Sequence, residues 1–276
     1  MTKHVKEKNP VSAHIFHVKA AGCQLRVKRI EPESLSPLTD RRTLVFLHEG
    51  LGCIEMWRDF PETLCKATGC NGLIYDRKGY GLSEKFEGPW PVDYLQTESL
   101  LYLPALLKVC GIDNAVLVGH SDGGTIALIT AAYHPNLMSG IITEAAHIFV
   151  EQVTIDGIQK TVQAFETSAL REKLFRYHKE HTDTIFYRWA DRWLSSEFRN
   201  WNIRKELSKI TCPALLLQGK DDEYGTRAQI DGIAGQVSGP VRVNLIPDCG
   251  HTPHFQAKDT VLLEMTRFIK TLRPLR

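Results

Sequence analysis

The chain has 276 residues, 43% hydrophobic, 24% charged and 9% aromatic, and 34 Lys and Arg against 32 Asp and Glu leave a formal charge of +2. That composition excludes disordered, collagen-like and coiled-coil chains. Charge is scattered without a basic stripe, which argues against nucleic acid and acidic membrane surfaces and leaves a small molecule as the expected partner. The seven cysteines (Cys23, Cys53, Cys65, Cys70, Cys110, Cys212 and Cys249) are odd in number, with no C-x-x-C pair and no zinc-like cluster. They read as reduced thiols, and no metal is expected. The charged start MTKHVKEKNP has no apolar run behind it, and no stretch approaches the ~18 apolar residues of a membrane span, so a cytoplasmic chain without a signal peptide is expected.

In chain order, His14 to Ala20 and Cys23 to Ile30 are β-rich runs around Gly22, predicting a leading antiparallel pair. A loop rich in Pro, Ser and charge follows to Arg42. Thr43 to Leu47 is an unbroken apolar run ending in His48-Glu-Gly-Leu-Gly52, the pattern of a strand buried on both faces that enters a Gly-rich turn. Then come a helix over 59–69, a strand Gly72 to Tyr75, a helical stretch 91–109 interrupted by Pro104, and a buried strand Ala115 to Val118. A helix over 122–133 and a strand Met138 to Thr143 follow. From about His147 to Lys209 charged and aromatic residues recur at helical spacing with no buried-strand run. The pattern resumes with strand Ala214 to Gln218, helix 227–236, strand Val241 to Ile246 and helix 258–271. Strands alternating with helices predict a mostly parallel α/β sheet. The expected organisation is a core over 1–146, a helical cap insertion over 147–209, and the rest of the core over 210–276.

Gly119-His120-Ser121-Asp122-Gly123-Gly124 matches G-x-S-x-G between the predicted strand and an apolar helix. The glycines permit a strained turn that lifts the serine hydroxyl above the sheet, and the helix start aims free N–H groups at developing negative charge. A serine needs a base to take its proton and a third group to orient that base. Downstream, Gly219-Lys-Asp221-Asp222 ends one buried strand in carboxylates, and Ile246-Pro-Asp-Cys-Gly-His251 ends the next in a histidine.

On these motifs, together with His48-Glu-Gly-Leu-Gly52 and Asp76-Arg-Lys-Gly-Tyr-Gly-Leu-Ser83, the chain resembles the α/β-hydrolase family over nearly its whole length. The resemblance implies a mostly parallel eight-stranded sheet with helices on both faces and a helical cap after strand six. It also implies a Ser121, His251, Asp222 triad, with Asp222 favoured over Asp221, and Glu144 as the other position from which an acid can come. The oxyanion donors would be the backbone N–H groups of Asp122 and Gly50, with Leu51 the alternative to Gly50. The Asp after the serine and Cys212-Pro-Ala-Leu-Leu are similar to the valacyclovir-hydrolase-like branch.

The implied function is a cofactor-free serine hydrolase, monomer or homodimer, that cleaves a small carboxylic ester through an acyl-enzyme. Alternatives are a C–C bond hydrolase, a lactonase or an aminopeptidase on the same triad, cofactor-free oxygenation, and a ligand-binding receptor without turnover. Glu49 stands where the family commonly has glycine, and Lys78 where it has arginine. Glu49 either faces away and binds a neighbouring loop, with Asp122 anchoring its own turn, or the two together favour substrates carrying a cationic group, such as amino-acid esters. Trp189, Trp193 and His254 are expected to contact substrate, and Phe186 either to join them or to pack the cap. His120 and His48 are expected to pack or brace their turns, and His178 and His181 to be solvated cap residues.

Overall fold

The computed structural model describes residues 11–33 and 42–272. The charged N-terminal segment and most of the Pro/Ser-rich loop before Arg42 lie outside the described residues. β1 (Val11–Ala20) and β2 (Cys23–Pro32) form an antiparallel pair. They are followed by β3 (Thr43–Leu47), β4 (Asn71–Tyr75), β5 (Ala115–His120), β6 (Met138–Glu144), β7 (Ala214–Gly219) and β8 (Val241–Ile246). The eight strands form one sheet in the order β1-β2-β4-β3-β5-β6-β7-β8. Only β2 runs antiparallel to its neighbours β1 and β4; the pairs from β4 through to β8 are all parallel.

Central strands buried on both faces need apolar residues at every position, and alternate side chains feed opposite cores. Val45 and Leu47 of β3, Leu117 of β5 and Leu216 of β7 join one core. Leu44 and Phe46, Val116 and Val118, and Leu215 and Leu217 join the other. Two helices, α1 (Phe60–Thr68) and the last helix of the described chain, Lys258–Thr271, cover this second core through Phe60, Leu64, Val261, Met265 and Phe268. Each such side chain contributes about 1.5–3 kcal/mol by leaving water.

The stretch broken by Pro104 is one helical run: α2 (Tyr94–Thr97), a π-turn over Glu98–Tyr102, and α3 (Leu103–Val109). Proline has no N–H to bond the carbonyl four residues back and crowds it, so the ladder widens just ahead of Pro104. α4 (Asp122–Tyr133) is buried along almost its entire length, with Tyr133 its exposed end.

Between β6 and β7 lie α5 (Gln152–Thr167), α6 (Leu170–His178), α7 (Thr182–Leu194) and the short α8 (Arg204–Leu207). The first three pack on one another, whereas α8 packs on α4 and on α9 (Arg227–Ala234). The strands of chain entering and leaving this region pair at Phe149 and Asn202, and Ile203 N–H donates to the Ile148 carbonyl at 2.9 Å. Among the described residues no helix is long and apolar enough to cross a membrane. All seven cysteines are free.

Candidate active site

β5 ends at His120, and Ser121, the next residue, holds φ 53° and ψ −116° before α4 begins. A non-glycine residue at positive φ is strained, and here two close approaches hold it there. A Cβ on Gly119 would stand 2.1 Å from the Gly123 carbonyl oxygen, and one on Gly123 would stand 1.9 Å from that of Leu47. Both outer glycines of G-x-S-x-G are therefore required for β5, the turn and α4 to meet. The Ser121 N–H donates to the Glu144 carbonyl at 2.8 Å, tying the turn to the end of β6.

The loops after β7 and β8 bring the remaining partners. Ser121 Oγ lies 3.0 Å from His251 Nε2, and His251 Nδ1 lies 2.8 Å from Asp222 Oδ1. Asp222 also accepts the Tyr224 N–H at 2.9 Å and the Gln218 amide at 3.3 Å. Burial works against its charge, but the adjacent His251 and the Tyr224 N–H outweigh burial and hold its pKa below the usual carboxylate value. The His251 backbone is pinned on both sides: its N–H donates to Glu223 at 3.1 Å, and its carbonyl accepts from His120 Nε2 at 2.7 Å. Asp221 is not part of this chain of bonds, and Glu144 instead accepts from His254 Nδ1 at 2.8 Å.

Two turns supply backbone donors. Asp122 opens α4, so its N–H is among the four that a helix leaves without an intrahelical acceptor. The turn after β3 is clamped through the Glu49 carbonyl, which accepts from His48 Nδ1 (2.8 Å), Arg77 Nη2 (2.8 Å) and the Gly52 N–H (3.1 Å). The Gly50 carbonyl accepts from Tyr80 at 2.9 Å, which orients the Leu51 N–H. Gly50, Leu51, Ser121 and Asp122 all border one cavity of about 570 Å³, a size that suits a small ligand.

Apolar groups dominate the cavity wall: Met56 and Trp57 on one side, and Ile158, Leu174, Trp189 and Trp193 from the insertion on the other. Phe186 does not border it; its ring stacks on Phe165 at 3.7 Å and packs the insertion. The carboxylates expected to attract a cation are already engaged. Asp122 is buried, accepts from Tyr94 at 2.9 Å and faces Arg77 at 3.5 Å. Glu49 faces His120 Nδ1 at 3.8 Å. Burial opposes the Glu49 charge, yet His120 and His48 draw its pKa down to about 2. Glu49 and Asp122 thus each have a partner, which weakens the expected cation preference, while Glu223 also borders the cavity and accepts the His251 N–H.

His178 departs from the solvated role expected of it. It is buried at the end of α6, bonds the Leu51 carbonyl through Nε2 at 2.8 Å and so ties the insertion to the turn after β3. His147 was not singled out by the sequence, yet it borders the cavity with its ring 5.7 Å from that of His251. Its Nε2 bonds the Tyr224 carbonyl at 3.0 Å, while Nδ1 is buried without a partner. No local pattern marks a lone histidine just past a strand end. Among the described residues one group, Cys53, Glu55 and Asp76, brings metal-ligating atoms together. Arg26 pairs with both of its carboxylates, and burial pushes the Cys53 thiol well up, so the positive charge is already supplied there.

The family model described as the alpha/beta hydrolase family matches residues 44–262. The chain belongs to that family. Its curated relatives include serine hydrolase BPHL of Homo sapiens, 28% identical over 68% of this chain and 65% of that protein, so the match spans just under two thirds of that relative. Proline iminopeptidase of Saccharolobus solfataricus is 25% identical over 83% of this chain and 84% of its own length. Among solved structures, the α/β-hydrolase enzyme MGS-M2 from a Medee basin deep-sea metagenome library superposes with a TM-score of 0.72 at 17% identity, covering 95% of this chain and 99% of its own. The likeness to the solved structure agrees with the fold described above.

Proposed function

We propose that this hydrolase cleaves small, uncharged carboxylic esters through an acyl-enzyme. The observation that carries the reading is the continuous hydrogen-bonded chain from Ser121 through His251 to Asp222 at the foot of an apolar cavity. Ser121 Oγ attacks the ester carbonyl carbon while His251 Nε2 takes its proton. Asp222 holds Nδ1–H and stabilises the imidazolium. The oxyanion would lie against the Asp122 and Gly50 N–H groups, with Leu51 the alternative donor. Such a donor is worth about 2.7–4 kcal/mol to the transition state. His251 then protonates the leaving alcohol, and the same groups, with water as nucleophile, release the acid.

An aminopeptidase needs a free carboxylate for the substrate ammonium, and the engaged state of Glu49 and Asp122 favours the ester over that alternative. The test is intact mass after incubation with a fluorophosphonate probe, on wild type, Ser121→Ala and His251→Ala, with peptide mapping and turnover of 4-nitrophenyl esters. One adduct on Ser121 that depends on His251, with ester turnover, is expected. Folded wild type that neither labels nor turns over ester would reject the reading.

A further inference from the structure

Three tryptophans border the cavity, and their indole N–H groups are used differently. Trp193 donates to the Tyr94 hydroxyl at 3.0 Å, and the N–H of Trp57 is buried without an acceptor. Trp189, on α7, is only 9% exposed and makes no hydrogen bond through Nε1 to any described residue. Its Nε1 is nevertheless not one of the buried unpaired atoms, so it keeps some open surface. A Cβ on Gly50 would stand 2.3 Å from Nε1 and 2.5 Å from Cδ1, so the N–H edge of the indole lies against the turn after β3. Gly50 borders the same cavity, and the unspent donor therefore faces it beside the turn proposed to hold the oxyanion.

We propose that Trp189 binds substrate by donating its Nε1–H to a second, uncharged oxygen, an ether or carbonyl oxygen on the acyl chain of the ester. The proposal rests on the hydrolase reading above. An indole nitrogen keeps its hydrogen at any working pH and only donates, so it selects for an acceptor. A donor in an apolar wall costs free energy until an acceptor meets it, so an oxygen placed there is favoured over a methylene. The leaving oxygen has to meet His251 Nε2, and the rings around His251 are those of His120, His147 and Tyr224. Trp189 is not one of them and stands over Gly50 instead, so the group it meets belongs to the acyl side. The indole has no charge to balance an anion, and Glu49, with its pKa drawn down to about 2, is a carboxylate in the same wall. A neutral acceptor is therefore the better fit.

The experiment pairs 4-nitrophenyl butanoate, pentanoate and hexanoate with the methoxyacetate, 3-methoxypropanoate and 4-methoxybutanoate esters. Each pair replaces one methylene by oxygen at constant length, and the series places that oxygen at three distances from the scissile carbonyl. The kcat/KM ratio of each pair is divided by the same ratio for hydroxide-promoted hydrolysis, which removes the inductive effect of the oxygen. In wild type one corrected ratio should reach about fivefold, the size of one neutral hydrogen bond. In Trp189→Phe and in Trp189→Leu, which lack the donor and differ in volume, that ratio should fall to about one. Each ratio is read within one variant, so a partial loss of folded enzyme does not move it. A purely packing role for Trp189 changes the room for long chains and leaves the ratio within a pair unchanged. Corrected ratios near one for all three pairs in an active wild type, or a raised ratio kept by either variant, would overturn the proposal and leave the hydrolase reading standing. Failure of every ester together with no Ser121 adduct would overturn the hydrolase reading, and this proposal with it.

Discussion

Arg77 Nη2 donates to the Glu49 carbonyl over 2.8 Å, and with His48 Nδ1 and the Gly52 N–H this bond fixes which way the next N–H points. A trans peptide carries its C=O and N–H on opposite sides, so fixing the Glu49 carbonyl fixes the Gly50 N–H. The same guanidinium faces Asp122 Oδ2 at 3.5 Å, and its Nε lies 3.4 Å from His48 Nε2. One buried side chain thus joins the turn after β3 to the turn after β5, the two turns proposed to supply the oxyanion donors. Burial opposes the Arg77 charge, but Tyr80, Asp122 and Glu98 outweigh it and raise its pKa.

Replacing Arg77 by Met removes the cationic partner of buried Asp122 and one of the three donors that clamp the Glu49 carbonyl. Stability should fall by about 3–5 kcal/mol, the usual penalty for orphaning one member of a buried pair. The rate of fluorophosphonate labelling at Ser121 should fall by about a hundredfold, the size of one lost oxyanion donor. Adding Asp122→Asn should recover much of the stability but little of the labelling rate, because the Glu49 carbonyl still lacks its Arg77 donor and keeps only those of His48 and Gly52. Urea denaturation and labelling kinetics on the two single variants and the double variant measure both effects. An Arg77→Met protein that labels at the wild-type rate would show that the clamp does not position the donors.

Trp189 stacks against the same turn from the insertion. A Cβ on Gly50 would stand 2.3 Å from Trp189 Nε1, so Gly50→Ala must push the indole out of place. We expect Gly50→Ala to lower kcat/KM by at least tenfold, and the double variant Gly50→Ala with Trp189→Phe to regain part of that loss. Trp189→Phe alone should widen the cavity and raise the relative kcat/KM of longer acyl esters. If the double variant is no better than the sum of the two changes, the clash is not what limits Gly50→Ala.

The alternation of buried runs with helices was legible in the sequence because a strand buried on both faces is largely apolar, as residues 44–47 and 214–217 are. Ser121, Asp222 and His251 were readable as candidates because each follows the end of a strand, and the ends of parallel strands meet at one edge of a sheet; the family resemblance set Asp222 ahead of Asp221. What Asp122 does was not. Its partners Arg77 and Tyr94 come from β4's loop and from α2, and only the folded chain shows that they neutralise it. His147 and the Glu144–His254 pair were hidden for the same reason, since side-chain direction beyond a strand end follows from packing and leaves no period to read.

His147 makes acid stability a specific test of the cavity wall. Burial, reinforced by nearby His251, pushes its pKa down to about 4 from an ordinary 6.5. Between those values the unfolded chain binds a proton that the folded chain refuses, so stability should fall as pH drops through 6.5 toward 4. From pH 7 to pH 5 the loss should be about 2 kcal/mol, at ~1.4 kcal/mol per unit. His120 acts the other way: Glu49 overcomes its burial and raises its pKa, so its contribution is present in acid and lost as pH rises through the folded value. The comparison with His147→Gln separates the two, because that variant keeps His120. Urea denaturation at pH 7 and pH 5 should give a drop about 2 kcal/mol smaller in His147→Gln than in wild type. Equal drops would mean that His147 takes up its proton as readily in the folded chain as in the unfolded one.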